Sequence, residues 1–586
     1  MRTHALAGLL ALAVATGAAA GGGPANVLVL YNADAPDAVT VAEYYAAERS
    51  LPDGHLCGLS GIDPGDRTIA FADYWTLVHD PLAQCLAALP QPEEIDYVVV
   101  VRGLPYRVDL PNDGYHTSLT AMIQVHETTD GGGTMLAGEP QLVTQHAQAS
   151  IDNPEFIGGW CQTGDLTLEN PYSGWYQTAC SIVRTYAHPP SFRRQDAGSA
   201  SGYDFGGNLF IVTRLDGFDY QDATDLVDRA VASDGSFPTA DILCMEGADD
   251  ARGARDPECE FATRYLDLAG LPGDWVTPHD SSLQGHTVAA YFTGAANIKN
   301  AIYGNTYVPG AITGNVTSYG AAPKNFFCDK SGKTCPESES QTSIARFVRA
   351  GATGTHGTVA EPLNNVFPSA GTLLYYTFGY NLGESYFFNQ QFLYWVNLYI
   401  GDPLATPYAE RPLVVVDAEA PEGGDLGVTA SHPDGVAEIR LYVAGERVAT
   451  AKGDTLSWPV EGLEGEVLDV LAVAVAENVP VPRAGWPEDP QLPRPDVQGW
   501  EALDVEIGPP DPGDDDTGDD DGGDDDGGDD DGGDDDGADD DAGDDDDAGG
   551  TGCQCEDEQP AAAAPVPLAL IPITGIGWFC RRKFFS

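Results

Sequence analysis

The stretch NVLVLYNADAPDAVTVAEYYAAER, residues 26–49, decides the reading of the chain. Val27-Leu28-Val29-Leu30 is a continuous apolar run, which is how a strand buried on both faces reads. Residues 37–49 follow with Val41, Tyr44, Tyr45 and Glu48 at helical spacing, so a buried strand feeds directly into a helix. A strand covered on both faces needs helices above and below it, and that arrangement belongs to a parallel sheet.

The same alternation continues outward to about residue 412. Tyr97-Val98-Val99-Val100-Val101 reads as a second buried strand and 209–212 (LFIV) as a third. Residues 222–231 form the next helix, with Ala223, Leu226, Val227, Ala230 and Val231 on one face. Residues 288–292 and 311–316 read as strands, 343–349 as a short helix, and 352–359 as a Gly/Thr-rich strand. Nearly 400 residues of strand–helix alternation predict an α/β domain over 24–412, a mostly parallel sheet with flanking helices.

From about residue 413 the period changes to two. Ile439, Leu441 and Val443 alternate with polar neighbours, Gly445-Glu446 turns the chain, and Leu456, Trp458 and Val460 alternate again. Short strands without a helical pattern predict an immunoglobulin-like β-sandwich over 413–508.

The two ends read as targeting signals. Arg2, the apolar residues 5–15 and Ala18-Ala19-Ala20 have the form of a secretory signal peptide over 1–20, with an apolar core too short to span a bilayer. Residues 509–552 are an acidic Asp/Gly tract in which nothing can bury a core, so a disordered, self-repelling spacer is expected. Cys553-Gln554-Cys555, the apolar residues 561–580 and Arg581-Arg582-Lys583 complete a membrane-directed end over 553–586, with the cations on the cytoplasmic side. The expected location is the outer surface of the cell envelope, anchored through this end.

The chain has 91 acidic and 28 basic residues, a formal charge of −63, and 23 of the acids are Asp within 511–547. The remaining body is acidic too, which excludes nucleic acid as a partner, because that affinity depends on Lys and Arg neutralising phosphates. No cofactor is expected beyond a loose association of Ca²⁺ with the Asp tract, which lacks the distal Glu of a calcium loop. Eight cysteines lie in the exported body as near neighbours: Cys57 and Cys85, Cys161 and Cys180, Cys244 and Cys259, Cys328 and Cys335. In an oxidising compartment these are candidate local disulfides, and no pair has the spacing of a structural metal site.

No P-loop, H-E-x-x-H, G-x-S-x-G or G-x-G-x-x-G pattern occurs. His286 and His356 each stand beside a Gly in a strand-edge context, where an imidazole can serve as a base. The segments at 26–52, 96–108 (DYVVVVRGLPYRV), 209–217 (LFIVTRLDG), 308–320, 346–362 (RFVRAGATGTHGTVAEP) and 399–408 (YIGDPLATPY) together resemble an uncharacterised family of exported, myxobacterial-type bacterial proteins. The order of elements, with a late apolar helix before Gly401-Asp402-Pro403, is similar to the gingipain-like cysteine peptidases, whose fold is caspase-like. Those enzymes carry His-Gly after one strand and Cys after the next, since a thiolate needs an imidazole in reach. The matching strand ends here read Phe292-Thr293-Gly294-Ala295-Ala296 and Asn315-Val316-Thr317-Ser318-Tyr319, with neither group. The C-terminal arrangement resembles the myxobacterial C-terminal sorting signal, which implies processing or lipidation at Cys553 or Cys555 by a sorting machinery.

These readings give three expectations. The first is a non-catalytic surface protein that binds a cell-surface ligand or builds the envelope. The second is a cysteine peptidase with a relocated dyad of His356 with Cys328 or Cys335. The third is another hydrolase with Ser318 or Thr317 as nucleophile.

Overall fold

The computed structural model describes residues 21–111, 116–126, 209–256, 283–298, 301–326, 341–362, 371–390, 395–417, 424–463, 465–477 and 496–508, with a few shorter pieces between them. The body is built on a ten-stranded sheet. Its strands are β1 (Val27–Asn32), β2 (Leu56–Leu59), β3 (Tyr97–Val101), β4 (Ile211–Leu215), β5 (Asp241–Cys244), β6 (Trp275–Val276), β7 (Thr287–Thr293), β8 (Thr306–Asn315), β9 (Gly354–Thr358) and β10 (Asn397–Gly401). Their spatial order is β6-β5-β7-β8-β9-β10-β4-β3-β1-β2.

This order contains one pattern twice. β1 to β4 lie as second-first-third-fourth, and β5 to β9 lie as second-first-third-fourth-fifth. Within each group the pairings are parallel. β10 joins the groups, antiparallel to β9 along five residue pairs and beside β4 at Arg214 and Ile400. β1 and β3 are the apolar runs of the sequence, and every residue from Val27 to Leu30 and from Tyr97 to Val101 is fully buried.

Helix α1 (Pro36–Arg49) starts with Pro at its first position, where the missing N–H costs nothing. It ends on Ser50 in the left-handed region, whose N–H reaches Ala46 and Ala47. Later helices are α2 (Asp80–Ala88), α3 (Leu119–Gln124), α4 (Tyr220–Ser233), α5 (Ala345–Ala350), α6 (Gly371–Thr377) and α7 (Leu382–Phe387). Asp219 caps α4 by accepting from the Asp222 N–H at 3.0 Å.

Three boundaries depart from the sequence reading, each for a physical reason. β4 runs on through Thr213-Arg214-Leu215 because the Arg214 charge is buried against Asp216. β8 begins at Thr306, ahead of Pro309-Gly310, which form a bulge: Val288 pairs with Tyr307 and Ala290 with Ile312. The residues directly before Gly401-Asp402-Pro403 are the strand β10 and not a helix; the apolar helices α6 and α7 come earlier.

The second part is two antiparallel sheets. β11 (Leu413–Val416), β12 (Asp425–Ser431) and β15 (Thr455–Pro459) form one; β13 (Val436–Val443), β14 (Glu446–Lys452), β16 (Val467–Ala476) and β17 (Gln498–Glu506) form the other. Val414, Val416, Leu426, Val428, Ile439, Leu441, Val470 and Val505 fill the space between them.

Cys57 is bonded to Cys85, stapling β2 to α2, and Cys244 to Cys259 at the end of β5, with Cα atoms 5.9 and 5.8 Å apart. Cys161, Cys180, Cys328, Cys335, Cys553 and Cys555 lie outside the described residues, as do the signal-like, Asp-rich and C-terminal segments. Among the described residues no helix is long and apolar enough to cross a membrane.

Candidate functional site

In a doubly wound sheet, ligands sit outside the carboxyl ends of the strands where the winding reverses. Here that places two crevices, one beyond β1 and β3 and one beyond β7, β8 and β9.

The first crevice has a volume of about 380 Å³. Asp34, Asp37 and Asp66 stand exposed on its rim, and Arg102, Gly103, Tyr106 and Tyr220 line it. Asn32 holds the rim together, its Nδ2 donating to the carbonyls of Ile62 and Gly103, both at 2.9 Å. Beneath lies a buried charge cluster centred on Asp216. Arg102 donates to Asp216 Oδ1 at 2.8 Å and to the Gly217 and Phe218 carbonyls at 2.7 and 2.8 Å. Arg214 donates through Nε and Nη2 to Asp216 Oδ2 at 3.1 and 2.9 Å. Arg214 also reaches the carbonyls of Leu104 and Pro105, and its guanidinium lies 4.4 Å from the Tyr106 ring centroid. The Phe326 ring stacks on that of Tyr106, with centroids 4.2 Å apart.

The second crevice is smaller, about 50 Å³, and is lined by Arg255, Asp256, Cys259, Thr293, Asn315, Val316, His356, Phe367 and Tyr386. Its strand ends are fastened by Asn315, whose side chain accepts from the Ala295 N–H at 2.8 Å and donates to the Ala295 carbonyl at 2.9 Å. A Cβ on Gly294 would overlap the Arg252 carbonyl, so no side chain fits at position 294 as the strand end stands. Ser318 Oγ donates to Glu361 at 2.8 Å, and Thr317 donates to Gln341. His356 lies inside β9, 2 % exposed, with Nε2 2.8 Å from Asn397 Oδ1. Burial lowers its pKa to about 4, against the opposing effect of the hydrogen bond it donates to Asn397. It is neutral at pH 7.

The remaining candidates separate. His286 sits at the amino end of β7, with Nδ1 2.7 Å from Asp241 Oδ2, at the opposite end of that strand from the crevice. Cys259 reaches the second crevice only as half of the Cys244–Cys259 disulfide. Cys328 and Cys335 lie outside the described residues. Among the described residues no group of three or more His, Cys, Asp or Glu is placed to hold a metal ion.

Sequence reasoning does not single out the Asp216 cluster, whose members stand in VRGLPY (Arg102 and Tyr106) and TRLDG (Arg214 and Asp216). The signal was there in the form of charges set inside or against apolar strand runs. Such charges occur in a core only when paired.

No protein-family model matches the chain, and no curated protein matches it. Among solved structures, the complex of Porphyromonas gingivalis RgpB pro- and mature domains is 10 % identical with a TM-score of 0.36, covering 82 % of this chain and 100 % of that one. A second protease structure is 11 % identical with a TM-score of 0.38, covering 83 % and 98 %. Both likenesses are remote.

Proposed function

We propose that this chain is an exported, surface-anchored protein whose caspase-like α/β scaffold and immunoglobulin-like sandwich serve binding or envelope architecture without peptide-bond chemistry. Residues 1–20 are then the export signal, 509–552 the spacer, and 553–586 the anchoring end, processed at Cys553 or Cys555. The partner is a cell-surface ligand, and the Asp-rich spacer holds Ca²⁺ only loosely.

One observation supports the non-catalytic part of this reading. At the ends of β7 and β8, where a thiol peptidase of this strand order needs an imidazole and a thiol, stand Gly294, closed to side chains, and Val316-Thr317-Ser318. The crevice imidazole, His356, is buried and bonded to Asn397, and the crevice sulfur of Cys259 is oxidised. Asp402 of the Gly401-Asp402-Pro403 end is likewise engaged inside the fold, accepting from Arg49 at 2.6 Å and from Tyr45 at 2.8 Å.

The alternative reading is a peptidase using His356 with Cys328 or Cys335. Hydrolysis of a mixed peptide library by the secreted protein, with and without reductant, separates the two. No turnover is expected in either condition. Cleavage that rises with reductant and disappears in both His356→Ala and Cys335→Ala would replace the binding reading by the peptidase. Cleavage that survives both but is lost in Ser318→Ala would assign the hydrolase instead.

A further inference from the structure

The crevice beyond β7, β8 and β9 encloses about 50 Å³, space for a few waters or for one compact group of similar bulk. Met245, Phe292, Val316, Phe367 and Pro368 form the apolar part of its wall. Two hydroxyls are set among them. Thr293 is the last residue of β7 and Tyr386 stands in α7, and they are 5 % and 3 % exposed. Neither hydroxyl has a hydrogen-bond partner among the described residues. Buried polar groups are nearly always paired, so each exception asks for an explanation. Thr355 and Tyr399 also carry unpaired hydroxyls, but those two residues do not line the crevice. Thr293 and Tyr386 are unpaired beside open space.

The frame that carries these hydroxyls is fixed. The Tyr386 ring packs on that of Tyr399 with centroids 4.6 Å apart, and α7 begins on the reciprocal cap of Asn381 and Glu384. Gly354 of β9 leaves the Tyr386 hydroxyl its place, since a Cβ there would come within 3.1 Å of it. The other polar groups of the wall are engaged inside the fold. Thr313 donates to the Gly354 carbonyl at 3.3 Å, Asn315 is tied to Ala295, and Asp256 accepts from the Gly247 N–H at 2.7 Å. Arg255 donates to the Phe367 carbonyl at 2.8 Å, so the wall carries one charge of each sign and no net charge. His356, donating through Nε2 to Asn397, is neutral. An ion entering this space would shed its water and meet no net countercharge. A neutral group with a small apolar body, one acceptor and one donor would suit both hydroxyls and the apolar wall.

We infer that the second crevice binds a compact neutral amide, a group the size of acetamide. Its carbonyl accepts from one of the Thr293 and Tyr386 hydroxyls, its N–H donates to the other, and its methyl packs on Phe292 and Phe367. The inference rests on the binding reading above, for which it names the group that the ligand presents.

Acetamide is the probe, set beside acetate and acetamidinium, which share its size and shape and carry one negative and one positive charge. Binding to the full chain is followed by saturation-transfer NMR titration. Acetamide is expected to bind at least about tenfold more tightly than either ion. Tyr386→Phe and Thr293→Val keep the shape of the wall and remove one hydroxyl each, and either should weaken acetamide by about tenfold. Tyr399→Phe removes an unpaired hydroxyl that does not line the crevice and should leave acetamide binding unchanged. The comparison of the three probes on the parent chain stands without any variant. No binding of acetamide, equal binding of all three probes, or an acetamide affinity that neither Tyr386→Phe nor Thr293→Val moves overturns the inference. Each of those results leaves the non-catalytic reading in place, because that reading falls only to turnover of the peptide library.

Discussion

Asp216 has no exposed side-chain surface and accepts from two guanidinium groups at once. Removing it would leave Arg102 and Arg214 buried beside each other without their shared anion. Breaking a buried pair in this way costs about 3–5 kcal/mol, because the remaining charge cannot reach water. Asp216→Ala is therefore expected to lower the denaturant midpoint strongly, with the slope unchanged, as measured by urea unfolding followed by tryptophan fluorescence. An Asp216→Ala midpoint within error of the parent would mean that water already reaches the cluster. Sequence reasoning does not reach this cluster, since nothing in TRLDG says that its Asp turns back onto its own Arg two residues earlier.

The imidazole of His356 belongs to the same scale, and its pH response has a defined sign. Folding lowers its pKa from 6.5 to about 4, chiefly by burial. The unfolded chain therefore binds a proton that the folded chain refuses, so stability present above pH 6.5 is lost as the pH falls toward 4. The full window corresponds to about 3 kcal/mol. His126 acts in the same direction, lowered to about 3 by burial and then by His79, whose ring centroid is 4.2 Å away. Thermal scans from pH 7.5 to 4.5 should show a falling transition temperature, with a shallower fall in His356→Gln. An unchanged slope in that variant would refute the assignment of His356 as a buried neutral group. The sequence reads His356 on a Gly/Thr-rich strand but in a strand-edge context; instead it stands mid-strand inside the sheet, with Tyr399 and Phe367 packed against its ring.

At the scale of elements, what was legible follows from burial on both faces. β1, β3 and α4 were readable because their apolar residues repeat without interruption or at a clean helical period. β2 and β5 are four residues each, too short for a period to show. β10, at the centre of the sheet, was not read as a strand, because its apolar residues merge with the aromatic run before it and only the pairing with β9 distinguishes them. The bulge in β8 offers a test of why Pro309-Gly310 can stand within a strand. Gly310 has φ +89°, and a Cβ there would press on Pro407 and Ser233 at 3.0 and 3.2 Å. Gly310→Ala thus combines a left-handed backbone with a tight contact, and should cost about 1–3 kcal/mol by calorimetry. No loss would mean that the bulge can move by a residue along β8.

For the whole molecule, the period change near residue 413 located the sandwich, but a change of period carries no information on whether two parts touch. The sandwich is fastened to the α/β body by a specific set of contacts. Glu94 is buried and accepts from the Tyr442 hydroxyl at 2.7 Å while Arg447 pairs with its other oxygen at 2.7 Å. The Arg447 N–H donates to Gln91 at 2.9 Å. On the apolar side, Ala25 packs with Tyr442, Leu471 and Val473, and the Arg411 guanidinium lies 4.5 Å from the Trp500 ring centroid. Contacts of this kind couple two folding units, because unfolding one leaves Glu94, Arg411 and an apolar face of the other stranded. The protein is expected to melt as one transition, with calorimetry, tyrosine absorbance and tryptophan fluorescence coinciding. Glu94→Ala removes the acceptor shared by Tyr442 and Arg447 and should split that transition into two. Truncation after Pro412 should lower the melting temperature of the remaining α/β body, because its surface around Ala25 and Glu94 then faces water. If the truncated body melts where the full chain does, and Glu94→Ala leaves a single transition, the junction is a resting contact between independent domains.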